Sequence, residues 1–299
     1  MSSLGPVGSA PPLFLPRRLE KFLRDSTDLS VDDGRRAHAL GQVSVIAAGA
    51  SEPRQMRIDD LVYEDDTVLL NQVRLEPRST HVTLMLNKPG DVTATLRDPH
   101  GQRDLTAFLE AMPQGVFPVG RLDRDTTGLL LFTNDGDLAN AILMPAHETE
   151  KVYWLWLDEQ VPDDDPRLQR CVEGVPLGAH LARATRVAVQ HRTDSQTELL
   201  VTLCEGKNRQ IRRMCRALDF KLTHLHRKSI GSLSLGALGV GEWRQLTAAE
   251  VEELWGAAGG RRRATARKLA ALESRAREGR ERGEPELRLE AWLERLRSG

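Results

Sequence analysis

Hydrophobic residues change their spacing several times along this chain, and each change predicts an element. In RRLEKFLRD (17–25), Leu19, Phe22 and Leu23 recur at helical spacing. Ser30 with Asp33 three residues on is a weak helix start, because a capping box prefers Glu or Gln there. A helix from that point through His38 leads into the strand QVSVI, and DDTVLLNQVRL (65–75) reads as one short strand. THVTLMLNKPG (80–90) is a strand ended by Pro-Gly, and GLLLFTNDG (128–136) is a buried strand closed by a turn signal. DLANAILM (137–144) is a short helix. KVYWLWL (151–157) alternates, with Val152, Trp154 and Trp156 on one face and Tyr153, Leu155 and Leu157 on the other. TELLVTL (197–203) is a strand and RQIRRMCRAL (209–218) a helix. Ile211, Met214, Cys215 and Leu218 fall at i, i+3, i+4 and i+7, which makes them its buried stripe. Arg209, Arg212, Arg213 and Arg216 are thereby placed on its other faces.

These textures divide the chain. Residues 1–15 are rich in Gly, Pro and Ser and are expected to be disordered. Residues 16–78 form a small α+β unit. Residues 80–255 mix strands and helices without a repeat and form a second, larger unit. Residues 259–299 carry twelve Arg or Lys against seven Glu, with Leu269, Leu272, Leu287, Leu289, Trp292, Leu293 and Leu296 as the main apolar positions. They read as a charged, partly helical tail that Pro285 breaks.

Composition narrows the class. With 40% hydrophobic and 28% charged residues among 299, the chain has the balance of a soluble globular protein. No apolar run is long enough to span a bilayer, so no membrane partner is expected. The start, MSSLGPVGSAPPLFLPRR, does not read as a secretory signal, and cytoplasmic is the simplest location. Cys171, Cys204 and Cys215 are too irregularly spaced for a disulfide framework or a zinc site, and no metal or cofactor is expected. The net charge of −1 announces no polyanionic partner, but its distribution does. Between Glu205 and Lys228 eight Lys or Arg face two acids, a local basic patch suited to holding and releasing a nucleic acid.

The densest chemistry lies in GRLDRDTTGLLLFTNDG (120–136), a polar loop with Arg121, Asp123, Arg124 and Asp125 that runs straight into a buried strand. A loop carboxylate mounted on a rigid element is how active sites are commonly built. Taken alone, alternating Asp and Arg are better read as solvated ion pairs worth little energy. The segment resembles, at every position, the signature of the ribosomal small- and large-subunit pseudouridine synthases. Two further blocks resemble that family in the same order: LNKPGDVTAT (86–95) and EGKNRQIRRMCRALDFKLTHLHRKSIG (205–231), with GEWRQLT (241–247) as a closing segment.

The resemblance implies a reaction in which uracil is detached from its ribose, turned and rejoined through carbon five, without cofactor or metal. It implies that Asp123 is the catalytic carboxylate, attacking the anomeric carbon of the sugar or promoting an elimination there. Arg212 occupies the position that pairs with this aspartate, and Tyr153 the position that packs against the target base. Arg121 stands where the family fills the space left by a flipped base, a step costing a few kcal/mol. Lys207, Arg209, Arg213 and Arg216 are the remaining candidate RNA contacts, with Lys88 a further one that could instead be a structural turn residue. His224 and His226 alternate on a strand and are read as core or solvated residues that could also touch RNA.

Residues 16–78 resemble the small RNA-binding S-four domain that commonly precedes this catalytic domain. Its phosphate-binding stretch differs here, with Asp32 and Asp33 in LSVDDGRRAHAL. The expected fold is therefore α+β, an S-four-like domain followed by a catalytic domain with a mainly antiparallel, mixed sheet. The expected function is isomerisation of uridine to pseudouridine in ribosomal RNA. The GEWR ending and the single GVPLG insertion point to the large subunit. A non-catalytic RNA-binding or ribosome-assembly factor would explain the basic block but not the Asp123 loop. A glycosylase using Asp123 with Asp125 would need both carboxylates held apart by the loop.

Overall fold

The computed structural model describes residues 15–77, 81–95, 103–282 and 286–298. The expected disorder at the N-terminus falls almost wholly outside these residues, as does the break at Pro285. Two compact units emerge: residues 1–79 together with 265–299, and residues 80–264.

In the first unit, β1 (Arg17–Arg18) leads into α1 (Leu19–Ser26), which buries Leu19, Phe22 and Leu23. Ser30 caps α2 (Val31–Ala39): its hydroxyl accepts from the Asp33 N–H and donates to the Asp33 carboxylate, which is half of a capping box without the return bond to the Ser30 N–H. β2 (Val43–Ile46) follows, then β3 (Leu61–Val62), which pairs with β1. The stretch expected to be one strand is a hairpin, β4 (Thr67–Leu70) and β5 (Val73–Arg74). Asn71 and Gln72 both take positive φ, 51° and 66°, the signature of a two-residue turn that no glycine announces. Leu19, Phe22, Leu23, Val43, Val45, Val62 and Val68 close the core.

The second unit holds a nine-stranded sheet in the order β12-β13-β9-β14-β8-β6-β16, with β7 added to β8 and β15 to β14. Its strands are β6 (Thr83–Lys88), β7 (Phe117–Pro118), β8 (Thr127–Thr133), β9 (Lys151–Leu157), β12 (Arg186–Arg192), β13 (Thr197–Leu203), β14 (Leu222–Ile230), β15 (Leu233–Ser234) and β16 (Trp243–Gln245). A separate hairpin, β10 (Val175–Leu177) with β11 (His180–Ala182), stands apart. Among the strands of the described residues, only β14 and β8 pair in parallel. The helices are α3 (Thr106–Leu109), α4 (Gly136–Leu143), α5 (Pro166–Glu173), α6 (Gln210–Ala217) and α7 (Ala248–Ala257). One sheet face buries Leu84, Leu86, Leu130, Phe132, Tyr153 and Leu155 under Ile211, Met214 and Cys215 of α6. The other buries Met85, Leu129 and Leu131 under α4 and α7.

The charged C-terminal segment is not a solvated appendage. α8 (Gly260–Glu281) and α9 (Leu287–Ser298) bury Leu272, Ala276, Leu289 and Leu293 against Leu61 and Tyr63 of the first unit. Arg288 stacks its guanidinium 4.3 Å over the Tyr63 ring and bonds the buried Asp66 at 2.9 Å. Leucines spread thinly among arginines hid this face from the sequence. No described helix is long and apolar enough to cross a membrane.

Candidate active site

The signature loop is held from three sides. At its end, Thr133 donates to the Val82 carbonyl, Asn134 accepts from the Val82 N–H, and Asp135 caps α4 by accepting from the N–H groups of Asp137 and Leu138. Thr-Asn-Asp-Gly thus closes the strand and starts the helix. Along the strand, Gly128 has φ 103°, and a Cβ there would press into the Arg227 backbone, so the parallel approach of β8 to β14 requires glycine. Beneath the loop, Lys88 donates to the carbonyls of Pro89, Val92 and Arg124 at 2.8, 2.8 and 3.2 Å. Lys88 is fully buried, which corrects its expected part in binding RNA: no phosphate can reach it. Burial lowers its pKa to about 8, with Asp125, Asp123 and Asp91 opposing the shift.

The loop opens on a cleft of about 520 Å³ lined by Asp123, Arg121, Tyr153, Lys207, Arg209 and Arg212. Asp123 Oδ2 lies 3.8 Å from both Arg212 Nε and Arg209 Nη1. Asp125 lies nearer to both guanidiniums, 3.3 Å in each case. Burial works against the Asp125 charge, but the hydrogen bond from Arg209 and the charges of Arg212 and Arg209 outweigh it and lower its pKa. The fork of Arg212 is fixed by the loop itself: Nη2 donates to the Asp125 carbonyl at 3.0 Å and to the Thr126 hydroxyl at 3.2 Å. Asp125 and Thr126 were not singled out from the sequence as holders of the arginine, although alternating Asp and Arg in the loop was the available signal.

α6 delivers its arginines as the stripe predicts: Ile211, Met214, Cys215 and Leu218 are all buried. Burial pushes the Cys215 thiol up to about 12, so it stays protonated and is no nucleophile. Arg209 precedes the helix with φ 48°, a left-handed turn that brings it to Asp125. Arg213 is exposed and donates to the Leu177 carbonyl; Arg216 is exposed on the helix but is not among the residues lining the cleft. Lys207 Nζ donates to His180 Nδ1 at 2.8 Å, and His180 Nε2 and Gln210 meet at Glu205 Oε1. This network joins the β10–β11 hairpin to the cleft, and no spacing in the sequence could reveal it. Tyr153, on β9 between Val201 and Arg227, faces the core and cleft while Trp154 and Trp156 face away.

A sheet carrying one carboxylate loop, two facing arginines and a tyrosine in a cleft rich in basic side chains is an arrangement suited to an enzyme that acts on a polyanion. A family model for RNA pseudouridylate synthase matches residues 82–217. Over 240 residues the chain is 33% identical to the dual-specificity RNA pseudouridine synthase RluF of Escherichia coli (strain K12), covering 80% of this chain and 78% of the relative. It is 33% identical to the ribosomal small subunit pseudouridine synthase A of Vibrio cholerae, covering 80% and 99%, and 34% identical to the ribosomal large subunit pseudouridine synthase B of Bacillus subtilis, covering 64% and 79%. A solved pseudouridylate synthase structure superposes with a TM-score of 0.54 at 28% identity, covering 80% of this chain and 99% of that one. The chain belongs to the RNA pseudouridine synthase family, in the group of these relatives, and is an RNA pseudouridine synthase.

Proposed function

We propose that the chain isomerises uridine to pseudouridine in ribosomal RNA of the large subunit, with Asp123 as the carboxylate acting at the sugar. The observation that carries this reading is the position of Asp123 in the cleft, facing Arg209 and Arg212 while Asp125 takes the closer share of both cations. An aspartate so placed keeps its oxygens available to a substrate. The bond from C1′ to N1 breaks, uracil turns, and C1′ joins C5. The proton lost at C5 is balanced by one gained at N1, so no oxidant or co-substrate enters. Asp123 acts by attack on C1′ or by promoting elimination, and Tyr153 packs against the turning base. Arg121, exposed at the mouth, fills the gap left by the flipped nucleotide, and Arg209, Arg213 and Arg216 steer the backbone.

Support for the large subunit comes from the closing segment Gly241–Arg244 and the single β10–β11 hairpin, and from the name of the Bacillus relative. The Vibrio relative is named for the small subunit, so both RNAs must be mapped. The first unit is proposed to dock RNA as an S-four-like domain. The test is carbodiimide mapping of ribosomal RNA from cells carrying the wild-type gene or Asp123→Asn. Asn keeps the shape and removes the charge, and a site absent only in the variant is expected. A modification retained in full would sink the assignment of Asp123.

A further inference from the structure

On the sheet face opposite Tyr153, Trp154 and Trp156 stack with ring centroids 5.1 Å apart and planes at 18°. His224 stands 5.0 Å from Trp156, and the Lys228 ammonium lies 5.2 Å over the Trp154 ring. The imidazoles are not loose: Thr127 Oγ1 bonds His224 Nε2 at 3.0 Å and His226 Nδ1 at 2.9 Å. Trp154 donates its indole N–H to Glu198, which fixes the ring edge and engages the acid beside it. Both tryptophans remain partly exposed, while α4 and α7 pack on the β8 and β15 part of this face. At 5.1 Å the rings overlap only in part, so aromatic surface is left for a third planar group.

We propose that the face formed by Trp154, Trp156, His224, His226 and Lys228 is a second RNA-binding surface, separate from the cleft, that takes unpaired bases. A protein partner would also value two tryptophans. RNA is favoured because a cation lies directly on the aromatic ledge, because every base has a face to stack, and because the enzyme works on RNA already. Bases splayed from a folded substrate would be held here while the target uridine enters the other side.

The test uses the full chain and a labelled ten-residue oligoadenylate, which contains no uridine and so presents no target to the cleft. Anisotropy should show saturable binding. Trp154→Leu with Trp156→Leu should weaken it at least about tenfold, as loss of base stacking does. Lys228→Gln, an exposed change that leaves the fold alone, should weaken it about threefold through one lost phosphate contact. Asp123→Asn should bind as the wild type does. Equal affinity of the wild type and both face variants would overturn the proposal by placing the oligonucleotide elsewhere, and so would absence of binding, or capture of a protein in place of RNA. Only binding is read here, so this surface and the Asp123 assignment can each fail without the other.

Discussion

The buried Nε of Arg212 stands 3.8 Å from Oδ2 of Asp123 and finds no hydrogen-bond acceptor among the described residues. That separation is too long for a hydrogen bond, and a buried donor left unpaired costs about 1–3 kcal/mol. The rest of the guanidinium is bound to Asp125 and Thr126, so its plane is already set. Asp123 Oδ2 is thus left facing an N–H that it does not bond, and under the proposed function that donor would be available to the reacting carboxylate.

Arg212→Lys keeps the charge but loses the fixed fork. Its saturated rate on ribosomal RNA is expected to fall about a hundredfold, the equivalent of roughly 2.7 kcal/mol in the transition state. Affinity for the RNA should change by less than about threefold, since Arg209 and its neighbours still supply charge. Single-turnover kinetics separate the two, and an unchanged rate would show that the arginine merely neutralises the loop.

Lys88 gives a pH signature. Its pKa is about 8 in the folded protein against 10.5 ordinarily. Between those values the unfolded chain holds a proton that the folded chain has released, so stability rises with pH there. Below pH 8 the burial cost is fully present and constant. Relative to Lys88→Met, the wild type should gain stability from pH 8 to 10 in urea melts, whatever the absolute order of the two. A difference that stays flat across that window would mean that the lysine is not desolvated under the loop.

Much of this architecture was legible because its pattern is local. The α6 stripe, the alternation of β9 and the α1 helix follow from spacing alone, whereas Asp123 stood out only through the resemblance of its loop to a family signature. What escaped depends on distant partners. Lys88 was open to two readings, RNA contact or structural turn residue, and only the enclosure by β6 and the loop decides for the second. His180 has no sequence link to Lys207, and only the hairpin brings them to 2.8 Å. The Asn71–Gln72 turn lacks the glycine that usually marks such a turn. The buried side of α8 and α9 was hidden because Arg and Glu dominate their sequence, while a few leucines make the contact.

That contact carries its own expectation. Leu289 is fully buried against the first unit, and Leu289→Ala should cost about 2–4 kcal/mol of that unit's stability. Urea unfolding followed by fluorescence should show the transition of the first unit moving to lower urea, with the other transition unmoved. A loss below about 0.5 kcal/mol, as for an ordinary surface change, would mean that the helices do not pack there in solution.

The last expectation concerns the division of labour between the units. Residues 80–264 contain the whole cleft, both sheet cores and every residue assigned to the chemistry. A chain of those residues alone should therefore fold and keep Asp123, Tyr153 and Arg212 in place. It loses the first unit, including α9 and the part of α8 beyond Ala264, whose Arg and Lys residues outnumber their acids. Its affinity for ribosomal RNA fragments should fall, and fall less steeply with salt, because fewer phosphates are neutralised. The reduction should be modest: Asp32 and Asp33 sit in the stretch that would meet phosphate, with Asp32 3.8 Å from Arg35 and Asp33 tied to Ser30. Contacts remote from the reacting sugar that act equally on ground and transition states raise the half-saturation concentration without touching the saturated rate. Measuring both parameters at two salt concentrations decides the matter. A folded, soluble 80–264 chain that turns over at a greatly reduced saturated rate would show that the first unit orders the cleft, against the proposed division of labour.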